Sequence, residues 1–567
     1  MSSPADERMS EELLDANEIQ GNILAGFNKD HQVFLFLRMG RDAASVSAVR
    51  AWLRAIGPQI SSVAEVRLFN ELFRTLRGRL RRDPHGLIAT WVNIAFSAAA
   101  LEVLTSRGEL DEFADAFFLD GMALRAGDLG DPLDPAAEGH PDNWVVGGTR
   151  SEADILLIVA SDSPSALAER VTQLKATLTQ AADPQSGVAI GSALHVIWEQ
   201  EGETLPPPLT GHEHFGFKDG VSQPGVRGLV RLDPVEYITP RLIDPAQSPQ
   251  TEPTVPEFAR PGQPLVWPGQ FVFGYKRQST NDARVPPEGV MAGCPPWGRN
   301  GSFLVFRRLR QDVPAFRASM REQAALLARE KGFEGMTATR LASLLVGRWP
   351  SGAPLMRSPA GENAELGRDE YASNFFQFSE KSPPPMPLKP EVGYAGDHFN
   401  TSEPDQGGVT CPFSAHVRKV NPRDTITEQG NRQDVLTRLV LRRGIPFGPV
   451  YPGDLDDAAD TAPLAGGEIS THRGLLFVSY QTSIENQFAF LQQNWANHPT
   501  FPTAGGEDPI IGQTNENEGR ARFVQVRAAN QNPLTLTLPP DWVIPTGGGF
   551  FFSPAISVIA GVLGRPR

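Results

Sequence analysis

Four short segments carry side chains whose chemistry goes beyond what packing requires. The first is His212-Glu213-His214, whose i, i+2 spacing sets two imidazoles on one face of a strand. Two ligands do not make a metal site, which also needs ligand number and geometry, so solvated loop histidines are the simpler expectation. The second follows at once in Gly216-Phe-Lys-Asp219-Gly220. Glycine permits positive φ and close backbone approach, so Asp219 can be presented into a cavity as a general acid–base; an Asp before Gly also suits a plain turn. The third is Cys411-Pro-Phe-Ser-Ala-His416-Val-Arg418-Lys-Val-Asn421-Pro-Arg423. A buried neutral imidazole can ligate iron while neighbouring guanidiniums neutralise carboxylates, and the spacing alone also fits a core histidine beside a basic surface turn. The fourth is Val440-Leu-Arg442-Arg443-Gly-Ile-Pro-Phe447-Gly448. Consecutive strand residues face opposite sides, so one guanidinium points inward and the other to solvent. A buried Arg needs an anionic partner, and Asp219 is the natural one.

The elements that would position these residues repeat one theme, a short apolar strand running into an amphipathic helix. Strands are expected over 32–38, 90–96, 155–160 and 193–199 in the first half, with helices over 44–56, 98–104 and 165–178. The second half repeats this with strands at 303–309, 435–441 and 475–480 and helices near 315–330 and 484–494. Alternation of this kind predicts an α+β chain of two sandwiches, each a sheet with helices on one face, like a ferredoxin-like unit. An N-terminal tail over 1–17 would precede domains at 18–225 and 226–567. Two long segments, 232–268 with nine prolines and 351–412 with a polyproline-like run at 382–390, interrupt the second domain. Loops of that length are usually walls and lids or else disordered, and both flank the chemical segments.

Composition narrows the function. The chain has 567 residues, 66 acidic against 52 basic, and a formal net charge of −14. An acidic total disfavours a nucleic-acid binder, which needs a basic face. A 40% hydrophobic content with 32 Phe disfavours disorder. Two cysteines, Cys294 and Cys411, make neither a disulfide scaffold nor a CxxCH attachment site. The start has no apolar signal region, and no run approaches the ~18 apolar residues of a membrane span, so a cytoplasmic protein is expected; the sequence leaves monomer and homodimer both open. A hydrolase on His212, Asp219 and Ser222 would lack the G-x-S-x-G elbow.

Taken in order, Gly216–Gly220, His416–Arg423 and Arg442–Gly448, together with Glu18-Ile-Gln-Gly-Asn-Ile-Leu and Gly474-Leu-Leu-Phe-Val-Ser-Tyr-Gln, resemble the larger bacterial and fungal dye-decolorizing peroxidases. The resemblance runs from about residue 18 to the C-terminus. It implies two ferredoxin-like domains, with non-covalent haem b held mainly by the C-terminal one. It implies a peroxidase that uses hydrogen peroxide to oxidise dyes, phenols and similar reductants through a ferryl porphyrin-radical intermediate. It makes His416 the proximal iron ligand, supported by Glu507 or Asp508, and Asp219 and Arg442 the distal catalytic pair. Leu475 and Phe477 become the apolar distal wall, with Arg423 and Arg418 facing the propionates. One departure matters: Phe447 stands where many fungal relatives have Tyr, so a relay for bulky donors would need Trp267, Trp297, Trp349 or Tyr451 instead. The competing reading on the same scaffold is a haem carrier, which needs His416 but has no use for Asp219 and Arg442.

Overall fold

A computed structural model describes residues 14–81, 84, 86–179, 189–229, 262–278, 292–383, 398–430, 432–457 and 472–566. Nine strands form one sheet. The first four are β1 His31–Met39, β2 Thr90–Phe96, β3 Ile155–Ser161 and β4 Leu194–Glu203. The other five are β5 Ser302–Gln311, β6 Leu441–Arg442, β7 Ile445–Phe447, β8 Gly474–Gln481 and β9 Val543–Ser553. Their order is β4-β1-β3-β2-β9-β5-β8-β6, with β7 also paired to β8 and every pairing antiparallel. Counted within each half, with β6 and β7 taken as one interrupted strand, the order is 4-1-3-2 twice, the ferredoxin-like arrangement that the doubled strand–helix pattern predicts. The halves join where Phe552 of β9 pairs with Phe96 of β2. The far ends also meet: a Cβ at Gly202 of β4 would lie 2.6 Å from Ile445 Cγ2 of β7.

Both faces of the sheet are buried, which explains the unbroken apolar strands. Val33, Leu35 and Leu37 of β1 pack under α1 (Ala43–Ile56), while Phe34 and Phe36 join Phe306 and Phe551 in a second core on the opposite face. All seven residues of β3 are buried. The helix Val63–Leu80, absent from the sequence-based assignment, starts with a capping box in which Ser62 and Glu65 satisfy each other's backbone N–H groups.

One strand assignment is corrected. Residues 435–441 are not a strand: Arg432–Leu436 is helical and only Leu441–Arg442 pairs in the sheet. Val435, Leu436 and Leu439 are buried at helical spacing, and a short apolar run does not distinguish the two periods. Of the long loops, residues 232–261 and 384–397, including most of the polyproline run, lie outside the described residues. Among the described residues no helix is long and apolar enough to cross a membrane.

Candidate active site

The outward-facing residues of β5 and β8 begin as core and end as a cavity floor. Phe303 and Val305 are core, whereas Arg307, Leu309 and Gln311 on the same face line a cavity of about 310 Å³. Opposite them on β8, Phe477 pairs with Arg307 and Leu475 with Leu309, and both line the cavity too. Strand alternation alone puts Leu475 and Phe477 on this wall while Leu476, Val478 and Tyr480 enter the second core.

Asp219 and Arg442 meet at the cavity edge. Arg442 Nη1 donates to Asp219 Oδ1 at 3.1 Å, and its Nη2 donates to Ser222 O at 2.9 Å. The Gln223 amide clamps the Arg442 backbone from both sides, accepting from its N–H and donating to its C=O. Gly216 and Gly220 have φ of +99° and +70°. A Cβ at either would meet nothing, so the turn demands glycine for conformation rather than for space. Arg443, the neighbour of Arg442, does not go to solvent but donates to Asn22 O, Ile23 O and Leu24 O at the end of the short Gly21–Leu24 helix. The Glu18–Leu24 segment thereby braces the strand that carries Arg442.

His416 starts the five-residue helix His416–Val420 and lines the cavity with a quarter of its side chain accessible. Its Nδ1 is 2.8 Å from Asp508 Oδ2, while Asp508 Oδ1 accepts from Ile510 N and Ile511 N. Asp508 is therefore the partner, and Glu507 accepts from Phe523 N and Asn517 Nδ2 instead. Burial opposes charge on His416, but the Asp508 charge and hydrogen bond outweigh it and leave the imidazole above its usual pKa. Burial also works to raise Asp508, yet His416 and the two N–H groups hold it below the usual carboxylate range. Lys419, three residues along, donates to His498 O and Gly506 O and ties down the loop that presents Asp508.

The basic residues near His416 divide. Arg418 is not on the cavity: its Nη1 pairs with Asp405 at 3.1 Å and its guanidinium lies 4.5 Å from the centroids of both Phe378 and Phe413. Arg423 does line the cavity, along with Arg348, which the sequence reading missed. Arg423 donates to Asn374 O, Phe376 O and Asn374 Oδ1, and Arg348 to Gly352 O and Ser373 O. Neither makes an ion pair among the described residues. Burial and mutual repulsion press Arg423 down to about 9, and burial chiefly presses Arg348 down to about 10. A buried Arg348 beside a half-buried Arg423, neither in ion-pair contact with a carboxylate among the described residues, calls for an anion. A dianionic haem would supply that charge, and His416, whose Nδ1 is taken up by Asp508, would hold its iron through Nε2, so the residues present fit this group.

Of the sequence candidates, Asp219, His416, Arg423, Arg442, Leu475 and Phe477 share one cavity. His214 is buried with Nε2 2.9 Å from Phe447 O, and burial lowers it to about 4; among the described residues no cluster of His, Cys, Asp and Glu forms a metal site. Trp267, Trp297, Trp349 and Tyr451 are all buried and none lines the cavity.

Replacing Asp508 by Asn should leave haem bound but cost about 10–100-fold in haem affinity, the usual penalty for removing a carboxylate behind a ligating histidine. The Fe(III)/Fe(II) potential should rise, because a less basic imidazole donates less to iron. A spectroelectrochemical titration reads the shift.

The comparisons with known proteins point to one family. The family profile described as DyP dimeric alpha+beta barrel domain matches residues 18–192, and that described as Dyp-type peroxidase, C-terminal, matches residues 271–501. Dye-decolorizing peroxidase msp1 of Mycetinis scorodonius is 30% identical over 557 residues, covering 97% of this chain and 88% of the relative. A dye-decolorizing peroxidase of Exidia glandulosa is 31% identical over 568 residues, covering 99% and 89%. Among solved structures, an ancestral D-type dye decolorizing peroxidase aligns with a TM-score of 0.71 at 30% identity, covering 97% of this chain and 100% of the other. A dye-decolorizing peroxidase complex with 2,6-dimethoxyphenol gives a TM-score of 0.67 at 29% identity, covering 98% and 100%.

Proposed function

The chain belongs to the dye-decolorizing peroxidase family, and on that premise we propose that His416 holds the haem iron, Arg348 and Arg423 receive the haem carboxylates, and Asp219 with Arg442 handles hydrogen peroxide. The protein is a hydrogen-peroxide-dependent haem peroxidase whose reductants are dyes, phenols and similar aromatic compounds. Haem b, held without thioether links, supplies two oxidising equivalents taken from peroxide and passed singly to the donor.

The observation that carries the catalytic reading is the Asp219–Arg442 pair on the same cavity as His416. Both hydrogen bonds to Asp219, from Gly220 N and from Arg442 Nη1, land on Oδ1, which leaves Oδ2 for peroxide. Asp219 takes a proton from one peroxide oxygen and returns it to the other, which departs as water. Arg442 stabilises negative charge as it develops on the departing oxygen. Asp508 keeps the His416 Nδ1 proton and so makes the imidazole a stronger donor. Leu309, Leu475 and Phe477 keep bulk water from the reacting oxygens.

A haem carrier would have no use for a paired Asp and Arg on the cavity. Haem-loaded protein mixed with hydrogen peroxide and an anthraquinone dye should lose dye colour, at a rate proportional to enzyme. A normal Soret band with no peroxide-driven bleaching would favour the carrier.

A further inference from the structure

One carboxyl group on the cavity wall has no role in the chemistry above. Glu213 sits at the centre of the turn that ends in Asp219. Its Oε2 accepts from Phe215 N at 2.8 Å and its Oε1 from Phe217 N at 2.9 Å. The Gln311 side-chain amide on β5 donates to the same Oε2. Its own backbone closes the turn, with Glu213 N donating to Phe217 O, Gly216 N to Glu213 O, and Asp219 N reaching back to Gly211 O at 3.0 Å. Removing this carboxylate would orphan two N–H groups within four residues of Asp219. We propose that Glu213 is the positioning residue of the acid–base site: by gathering the Phe215 and Phe217 N–H groups and the Gln311 amide, it sets the turn that aims Asp219 into the cavity. The inference rests on the assignment of Asp219 as the acid–base.

When Glu213 is protonated, Gln311 gives this anchor a second, weaker hydrogen-bonded state. Its Oε1 is buried without a hydrogen-bond partner, so a half-turn of the amide would let Oε1 accept from a protonated Glu213 in place of the Nε2 bond to the ionised form. Burial, with a smaller contribution from the Asp219 charge, raises Glu213 to about 7, so the exchange falls near neutral pH. The other charged groups on that wall are Lys218, Arg442 and the Asp131–Arg307 pair, whose contact is 2.7 Å. An ionised Glu213 holds both N–H groups with a full carboxylate, whereas a protonated one holds them less strongly, and the aim of Asp219 loosens accordingly.

The test uses the haem-loaded protein. In wild type, the rate of reaction with hydrogen peroxide should show an inflection near pH 7, and Glu213→Gln should remove it. Glu213→Ala, which leaves both N–H groups without an acceptor, should lose about 10²-fold in that rate while keeping its haem, the cost of misplacing a catalytic group by about an ångström. Gln311→Leu should move the inflection upward, because the amide N–H favours the ionised carboxyl. Thermal unfolding gives a readout independent of turnover. The folded pKa of about 7 lies above the usual 4.5, so wild-type stability falls as pH rises between those values, and Glu213→Gln lacks that decline. An inflection that survives in Glu213→Gln, with a wild-type to variant Tm difference that is flat from pH 4.5 to 7, overturns the proposal. Asp219→Asn measured alongside separates the two claims. If it reacts at the wild-type rate, the acid–base assignment has failed; if it is inactive while the Glu213 variants match wild type, only this inference has failed.

Discussion

His416→Ala should purify nearly colourless, with its Soret-to-protein absorbance ratio collapsed relative to wild type. His416 is the only imidazole on the cavity wall among the described residues, and no Cys or Met lines it, so no other imidazole, thiolate or thioether there can ligate iron. Losing only the support behind a ligating histidine costs about 10–100-fold, and losing the ligand itself should cost at least that in haem affinity. Arg348 and Arg423 remain to attract the carboxylates, so residual haem should bind weakly and without an imidazole spectrum. Added imidazole, which fits the space the side chain vacates beside Asp508, should restore the Soret band in part. A variant that keeps full haem with an unchanged spectrum would move the iron ligand elsewhere and undo the assignment of the cavity.

How far the sequence carried this reading depended on whether each signal was local. Strands such as Thr90–Phe96 and helices such as Ala98–Leu104 match the expectation because hydrophobic period and N-cap chemistry act over a few residues. The helix Val63–Leu80 escaped the sequence reading although Ser62 and Glu65 stand at capping-box spacing; only Val63 and Val66 of it are buried, so little of its length reports on the core. His416 and Arg418 looked equivalent as cavity residues until the segment proved helical. Positions i and i+2 do not share a helix face, and Arg418 turns away to Asp405 while His416 faces the cavity. Glu507 and Asp508 were indistinguishable because adjacent residues differ only in direction. Arg348 carried no signal at all: it reaches the cavity from the turn that ends the helix Ala338–Val346, and only tertiary packing brings it beside Arg423.

Asp219→Asn should retain haem and lose about 10²–10⁴-fold in the rate of reaction with hydrogen peroxide, the range that a positioned acid–base contributes. The substitution is a clean probe because Asn preserves the geometry. Its Oδ1 can still accept from Gly220 N and from Arg442 Nη1, as Asp219 Oδ1 does at 2.6 and 3.1 Å, so the turn and the guanidinium stay in place. What Asn cannot do is accept a proton at Oδ2 and give it back. Arg442→Leu should cost about 10²–10³-fold, the scale of losing one donor to a developing anion. It should also leave Asp219 without its ion-pair partner and free the Ser222 carbonyl. Because Asp219 and Arg442 touch, their effects should not add. If each acts on the same proton transfer, the double variant should be scarcely worse than Asp219→Asn alone. If instead Asp219→Asn matches wild type while Arg442→Leu is inactive, the guanidinium alone carries the heterolysis and water moves the proton. Stopped-flow spectra of the haem band at several peroxide concentrations distinguish these outcomes, since a slower second-order rate at unchanged haem content isolates the chemical step from loss of the cofactor.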